Sequence, residues 1–144
     1  MKTINEIQDE IIEEFCALDD WMDRYQLLID MGAEQAALSA GDKTEQNLID
    51  GCQSRVWLVC ETNGDMLYFR AESDALIVKG IVALLLRVLS GHTADEILTS
   101  ELYFIPRIGL DEHLSPTRSN GLLAMIRRIR MYALAHQEPV NDEA

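Results

Sequence analysis

The chain has 144 residues, 48% of them hydrophobic, with only 8 Gly and 3 Pro, the make-up of one packed domain with a sizeable core. Its formal charge of −13 argues against nucleic acid and anionic lipid, because binding to phosphates runs on Lys and Arg displacing counterions, and leaves a protein with a positive face as the partner that charge can steer. No stretch reaches the ~18 uninterrupted apolar residues of a membrane helix, and the N-terminus turns acidic at once, so a soluble cytoplasmic protein without a secretory signal is expected.

Thr3 with Glu6 has the form of a capping box, and Ile4, Ile7, Ile11 and Phe15 then recur on one stripe, which predicts a first helix from Thr3 to Cys16. Asp19 and Asp20 cap a second, running through Trp21, Tyr25, Leu28 and Ile29 to a C-cap at Gly32. Residues 34–45 are polar and irregular, with a short turn near Gln35 to Leu38 at most. The period then changes. Residues 47–50 read as a short strand, Val56 to Cys60 as a second, and Met66 to Arg70 as a third after a turn at Asn63-Gly64. This predicts a three-stranded antiparallel meander with Gly51 and Cys52 at the tip of its first connection.

From Ser73 the period is helical again. Leu76, Val78, Ile81, Val82, Leu85, Leu86 and Leu89 are apolar on nearly every side, as in a central buried helix, with Asp74 as its cap and Gly91 as its end. Thr93 and Glu96 form a second capping box, Pro106 and Gly109 break the next stretch, and Ser115-Pro116 opens a long helix to His136. The acidic tail from about 138 is expected to fray. With no repeat and no linker, residues 1–144 form a single α+β domain, a small three-stranded antiparallel sheet covered by helices.

Three cysteines, an odd number, suggest no disulfide framework. Cys16 lies at the end of the first helix near its apolar stripe, and Cys60 lies on a strand with Val56 and Leu58, so packing is expected for both. Cys52 differs by its place at a loop tip, where a thiol can reach a partner. No CxxC and no zinc or cluster-ligand spacing is present. His92, His113 and His136 stand singly and read as surface or locally bonded residues. Arg127, Arg128 and Arg130 read as a solvated basic face helped by the helix dipole.

The string Gly51-Cys52-Gln53-Ser54-Arg55-Val56-Trp57-Leu58 resembles the segment around the acceptor cysteine of SufE and CsdE proteins. Residues 114–122, Leu-Ser-Pro-Thr-Arg-Ser-Asn-Gly-Leu, resemble the segment before the last helix of the same family, and Ser73-Asp74-Ala75 and Ile77-Val78-Lys79-Gly80 are similar too. The resemblance implies a SufE/IscU-like α+β fold with no cofactor of its own. It also implies a sulfur-transfer protein rather than a stand-alone enzyme. Its partners would be a pyridoxal-phosphate-dependent cysteine desulfurase of SufS or CsdA type and a downstream Fe–S scaffold. Cys52 would accept persulfide sulfur for iron–sulfur cluster assembly, and Arg118 would stabilise its thiolate or persulfide. An attacking thiol must ionise from an unperturbed pKa of ~8.5 without becoming too weak a nucleophile. Persulfides oxidise easily, so a sheltered resting state among Ile49, Val56 and Trp57 and an exposed working state are expected. The alternatives are an adaptor that stimulates the desulfurase without carrying sulfur, a cluster scaffold, and a cysteine hydrolase using His92 or His113 as base.

Overall fold

Thr3 opens α1 (Ile4–Cys16) with the predicted box: its hydroxyl accepts from the Glu6 N–H at 3.0 Å, and the Glu6 carboxylate accepts from the Thr3 N–H at 3.1 Å. The structure, a computed structural model, describes residues 2–51, 54–114 and 116–137, with Pro116 and Thr117 described in backbone only. Ile4, Ile11 and Phe15 are buried along α1, and so is Gln8, a polar residue on the apolar stripe. Its amide is fully used, donating to the Glu101 carbonyl at 3.0 Å and accepting from the Phe104 N–H at 3.1 Å. A buried amide bonded in this way ties α1 to the chain 93 residues later rather than costing stability.

The second helix, α2 (Trp21–Ala33), is capped by Asp20, whose carboxylate accepts from the Met22 N–H at 2.9 Å. Gly32 does not terminate it, contrary to expectation; the helix runs to a C-cap at Glu34. Gly32 is needed for closeness instead. A Cβ on it would lie 2.7 Å from the Gly80 nitrogen, and a Cβ on Gly80 would overlap the Leu28 carbonyl. Gly80 belongs to α3 (Leu76–Leu89), so the two helices cross backbone to backbone. Ten residues of α3 are buried, as its all-round apolar pattern predicts. Its cap differs from the prediction: Ala75 occupies the N-cap position without a side-chain bond, and Asp74 is used elsewhere.

The sheet has the predicted strand number and antiparallel sense but a different membership. β1 (Val56–Asn63) and β2 (Met66–Ser73) pair from Val56↔Ser73 to Asn63↔Met66. The third strand is β3 (His92–Thr93), which follows α3 and pairs with Met66 and Leu67. Residues 47–50 make only one isolated bridge, Leu48↔Trp57, after two 3-10 turns at Ala40–Asp42 and Glu45–Asn47. The two-residue β3, squeezed between Gly91 and the next capping box, is too short to show any period in sequence.

On the helical side, α3 lies on the sheet with α2 behind it, and α1 and the long α7 (Pro116–His136) flank it. Between them run α4 (Ala94–Thr99), opened by the Thr93–Glu96 box, and the short α5 (Phe104–Arg107) and α6 (Leu110–His113) divided near Gly109. Ser115, the predicted cap of α7, and the tail from 138 lie outside the described residues. No described helix is long and apolar enough to cross a membrane.

Residues 38–43 reach over the outer face of the hairpin. Glu72 is the hub: its carboxylate accepts from the Leu38 N–H at 2.8 Å and pairs with Lys43, whose ammonium stands 5.7 Å from the centre of the Trp57 ring. Asp42 pairs with Arg70 at 3.2 Å, and Arg70 also holds Glu61. The Lys43 hydrogen bond lowers the Glu72 pKa first; the Leu38 N–H and the Lys43 and Lys79 charges add to it, and burial works against it.

Three outcomes are expected. Gly80→Ala should cost roughly 1–3 kcal/mol through overpacking of the α2–α3 crossing, measured by denaturant unfolding. Gly41→Ala, where a Cβ would meet only the Ser39 hydroxyl at 3.9 Å, should stay within about 0.5 kcal/mol. A Glu72 pKa lower in the folded than in the unfolded state means that its stabilisation is present above the ordinary glutamate value of about 4.3 and lost as pH falls through the folded value. The gap in melting temperature between the wild type and Glu72→Gln should therefore be open at pH 7 and close under acid.

Candidate functional site

The loop that carries Cys52 leaves the sheet at the end opposite the β1–β2 turn. Cys52 and Gln53 lie outside the described residues, so the site is described by its two stems. On the C-terminal stem, the Asp74 carboxylate accepts from the Arg55 N–H at 3.1 Å, and the Asp74 N–H donates to the Arg55 carbonyl at 3.3 Å. Asp74 thus closes the base of the loop rather than capping α3. The Ile49 N–H donates to the Val56 carbonyl at 2.8 Å, joining the two stems.

On the N-terminal stem, Gly51 has φ +92°, a conformation in which a side chain is strained, and its Cβ position lies 3.3 Å from the Ala124 methyl of α7. One turn further along α7, Arg128 donates to the carbonyls of Gln46 at 2.6 Å and Leu48 at 3.4 Å. The basic patch is therefore not a uniformly solvated face. Arg127 is exposed, whereas Arg128 and Arg130 are half-buried, and Arg130 donates to the Ser100 carbonyl at 3.1 Å. Sequence reasoning missed Asp74, Ala124 and Arg128 as loop contacts, because each acts through backbone groups that no side-chain pattern reveals.

Ile49 and Val56 are buried, as expected of apolar neighbours of the loop, and line a small gap with Met125 and Ile129 of α7. Trp57 does not join them. It alternates to the outer face of β1, where Lys43 lies over it. The expected sheltering and exposure of the thiol concern residues outside those described. Arg118 stands exposed in the first turn of α7, the helix on which Gly51 rests.

Of the two remaining cysteines, Cys60 is a poor nucleophile candidate. Cys60 is half-buried against the core, and burial, with help from Glu61, pushes its thiol up to about 11, so it holds almost no thiolate at neutral pH. Cys16 is exposed, not packed as expected. It comes late on α1, past Phe15, where the apolar stripe has turned away from the surface it occupies.

The histidines do not gather at the loop. His92, expected at the surface or locally bonded, is buried with 3% exposure, and its Nε2 donates to the Lys2 carbonyl at 3.1 Å. It pairs with Leu67, six residues along β2 from Ser73 at the loop end. At ~3.3 Å per residue that separation is about 20 Å, which sets His92 well away from the C-terminal stem of the loop. His113 stacks on Trp21 with ring centres 4.0 Å apart and donates from Nδ1 to the Gly109 carbonyl at 3.0 Å. His136 bonds to the Tyr132 carbonyl at 2.8 Å. Both are the locally bonded residues expected.

Comparison with known proteins gives a consistent picture. Residues 9–133 match the family described as "SufE: Fe-S metabolism associated domain". An uncharacterized SufE-like protein of Rhizobium meliloti (strain 1021) is 45% identical over 130 residues, covering 87% of this chain and 93% of its own length. Another, from Rhizobium etli, is 45% identical over 127 residues, covering 85% and 86%. The solution structure of a hypothetical protein from Thermus thermophilus superposes with a TM-score of 0.74 over 90% of this chain and 95% of that one; at 23% identity it speaks to the fold. The chain belongs to the SufE family, and its domain is one associated with Fe–S metabolism.

Proposed function

We propose that the protein is a sulfur acceptor that takes persulfide sulfur from a cysteine desulfurase on Cys52 and delivers it to an Fe–S scaffold. The observation that carries the reading is the construction around Cys52: the stems on either side of it in the chain are both bonded down at one end of the sheet. Family membership and the raised pKa of Cys60 support the choice of thiol.

The reaction is an exchange without net oxidation. The Cys52 thiolate attacks the outer sulfur of the desulfurase persulfide and a new S–S bond forms on Cys52. The old bond breaks, and the desulfurase cysteine leaves as its thiolate. Arg118, at the opening turn of α7, would stabilise the anionic sulfur there together with the helix N-terminus. Pyridoxal chemistry stays on the desulfurase. A reducing cytoplasm, where free thiols persist, is the setting this reading requires.

Incubation with a desulfurase and free cysteine, followed by mass spectrometry, tests the reading. Wild-type protein should gain one or more sulfur atoms on Cys52, and Cys52→Ser should gain none while keeping an unfolding free energy within about 0.5 kcal/mol of the wild type. If Cys52→Ser still stimulates the desulfurase fully, the protein is an adaptor and not a carrier. Arg118→Ala should slow loading without abolishing it.

The purified protein should hold no stoichiometric zinc, iron or pyridoxal phosphate. Metal analysis and absorption spectra check this. Iron retained through a chelator wash, with visible absorption to match, would establish a scaffold role instead.

A further inference from the structure

The basic patch of α7 departs furthest from its sequence expectation, and one member of it faces the candidate site. We propose that Arg128 is a positioning residue for sulfur transfer, fixing the N-terminal stem of the Cys52 loop against α7 and so setting where the thiol is presented. This deepens the acceptor reading and rests on it.

Three observations converge on Arg128. Its guanidinium holds two carbonyls at once, Gln46 at 2.6 Å and Leu48 at 3.4 Å. A planar fork suits that task in a way a point charge does not, and a charged donor to a carbonyl is worth more than a neutral one. The guanidinium is itself oriented, lying 5.5 Å from the centre of the Tyr132 ring, which tilts against Phe69 of β2 at 6.3 Å. The sheet therefore sets the ring, the ring sets the arginine, and the arginine sets the stem. Lastly, Ala124 lies one turn before Arg128 on the same helical face, and it is the residue Gly51 rests on. A small side chain and a forked donor at i and i+4 together make a seat for 46–51.

The N-terminal stem depends on that seat more than its counterpart does. The C-terminal stem runs straight into the β1 ladder and is closed by Asp74. Among the described residues, the N-terminal stem reaches β1 only through one isolated bridge, Leu48↔Trp57, and the Ile49–Val56 bond, and its other side-chain tie beyond that seat, from the Asn47 amide to the Asp42 carbonyl at 2.8 Å, stays within the same irregular segment. In the exchange described above, the attacking thiolate must line up with the bond that breaks, and a misplacement of about 1 Å costs up to roughly 100-fold in rate. An unseated stem spreads the loop over many positions, few of them aligned.

The test uses the full chain, with Arg128→Met, which keeps an apolar stem over Tyr132 but loses the donors, and Arg128→Lys, which keeps the charge but loses the fork. Amide exchange, desulfurase affinity and the rate of sulfur appearance on Cys52 are measured for each. In Arg128→Met, exchange in 46–51 should quicken at least about tenfold while α3 and the β1–β2 ladder hold their protection. The loading rate at saturating desulfurase should fall about tenfold or more with binding unchanged, and Arg128→Lys should fall between the two. Unchanged exchange in 46–51 overturns the proposal. So does a loss spread evenly over α7 and the sheet, or a rate loss that saturating desulfurase restores. Should Arg128→Met fail to fold, Ala124→Leu, which pushes Gly51 off the same face, must give the same local loosening and slower loading; unaltered loading overturns the claim. A wild type that takes up no sulfur overturns the acceptor reading, whereas a loading wild type and an equally fast Arg128→Met overturn the positioning role only.

Discussion

A helix that is apolar on every side has to be covered on every side, and α3 imposes that requirement on this fold. Val78, Ile81, Val82, Leu84, Leu85, Leu86, Val88 and Leu89 are all buried. At ~25 cal/mol per Å² of apolar surface removed from water, no arrangement that leaves one of those faces wet can compete. The sheet takes one face, α2 a second, and α1 and α7 close the sides. Gly80 and Gly32 let α2 approach as closely as backbones allow, so the two-glycine crossing is how the α3 surface on that side is fully closed.

The position of the candidate site follows from this packing. With α3 laid on the hairpin, its N-terminus comes to the sheet end where β1 begins, and Asp74 just before it reaches the Arg55 backbone. α7, packed along α3, passes the same end and offers Ala124 and Arg128 to the other stem. The stems of the Cys52 loop are thus held by two helices that are themselves fixed by the core. Anchored stems are what the proposed acceptor role of Cys52 calls for, because a thiol that attacks a partner's sulfur needs one geometry.

The charge balance adds a second layer. In a chain of formal charge −13 with 12 Lys and Arg against 25 Asp and Glu, cations are scarce, yet several are spent inside the molecule. Arg24 donates to the Leu18 and Ile108 carbonyls at 2.9 Å each, Arg128 to Gln46 and Leu48, and Arg130 to Ser100. Each joins segments lacking regular structure to a helix. Backbone carbonyls in loops need donors when they are partly buried, and arginine carries the fork that can serve two of them. The exposed carboxylates leave a strongly negative surface, suited to a partner with a positive face.

Much of this was legible from residue order. Both capping boxes, at Thr3 and Thr93, form where predicted because their bonds close within four residues. The burial of α3 appears as predicted, and so does the hairpin, though its strands run three residues beyond the expected ends at Cys60 and Arg70 and take in Ser73, since period 3.6 and period 2 are local properties of the chain. The motif at 51–58 pointed to the SufE family for the same reason. What tertiary structure alone decided are contacts between backbone and distant side chains. Asp74 closes a loop instead of capping a helix, Gly32 admits a neighbouring helix instead of ending its own, and His92 is buried in a two-residue strand. Leu48 makes a single bridge, its carbonyl bonded to Arg128 from 80 residues away. A hydrogen bond to a main-chain carbonyl asks nothing of the residue that owns it, so no letter in the sequence records the partner; only the packing of α3 and α7 brings the two together.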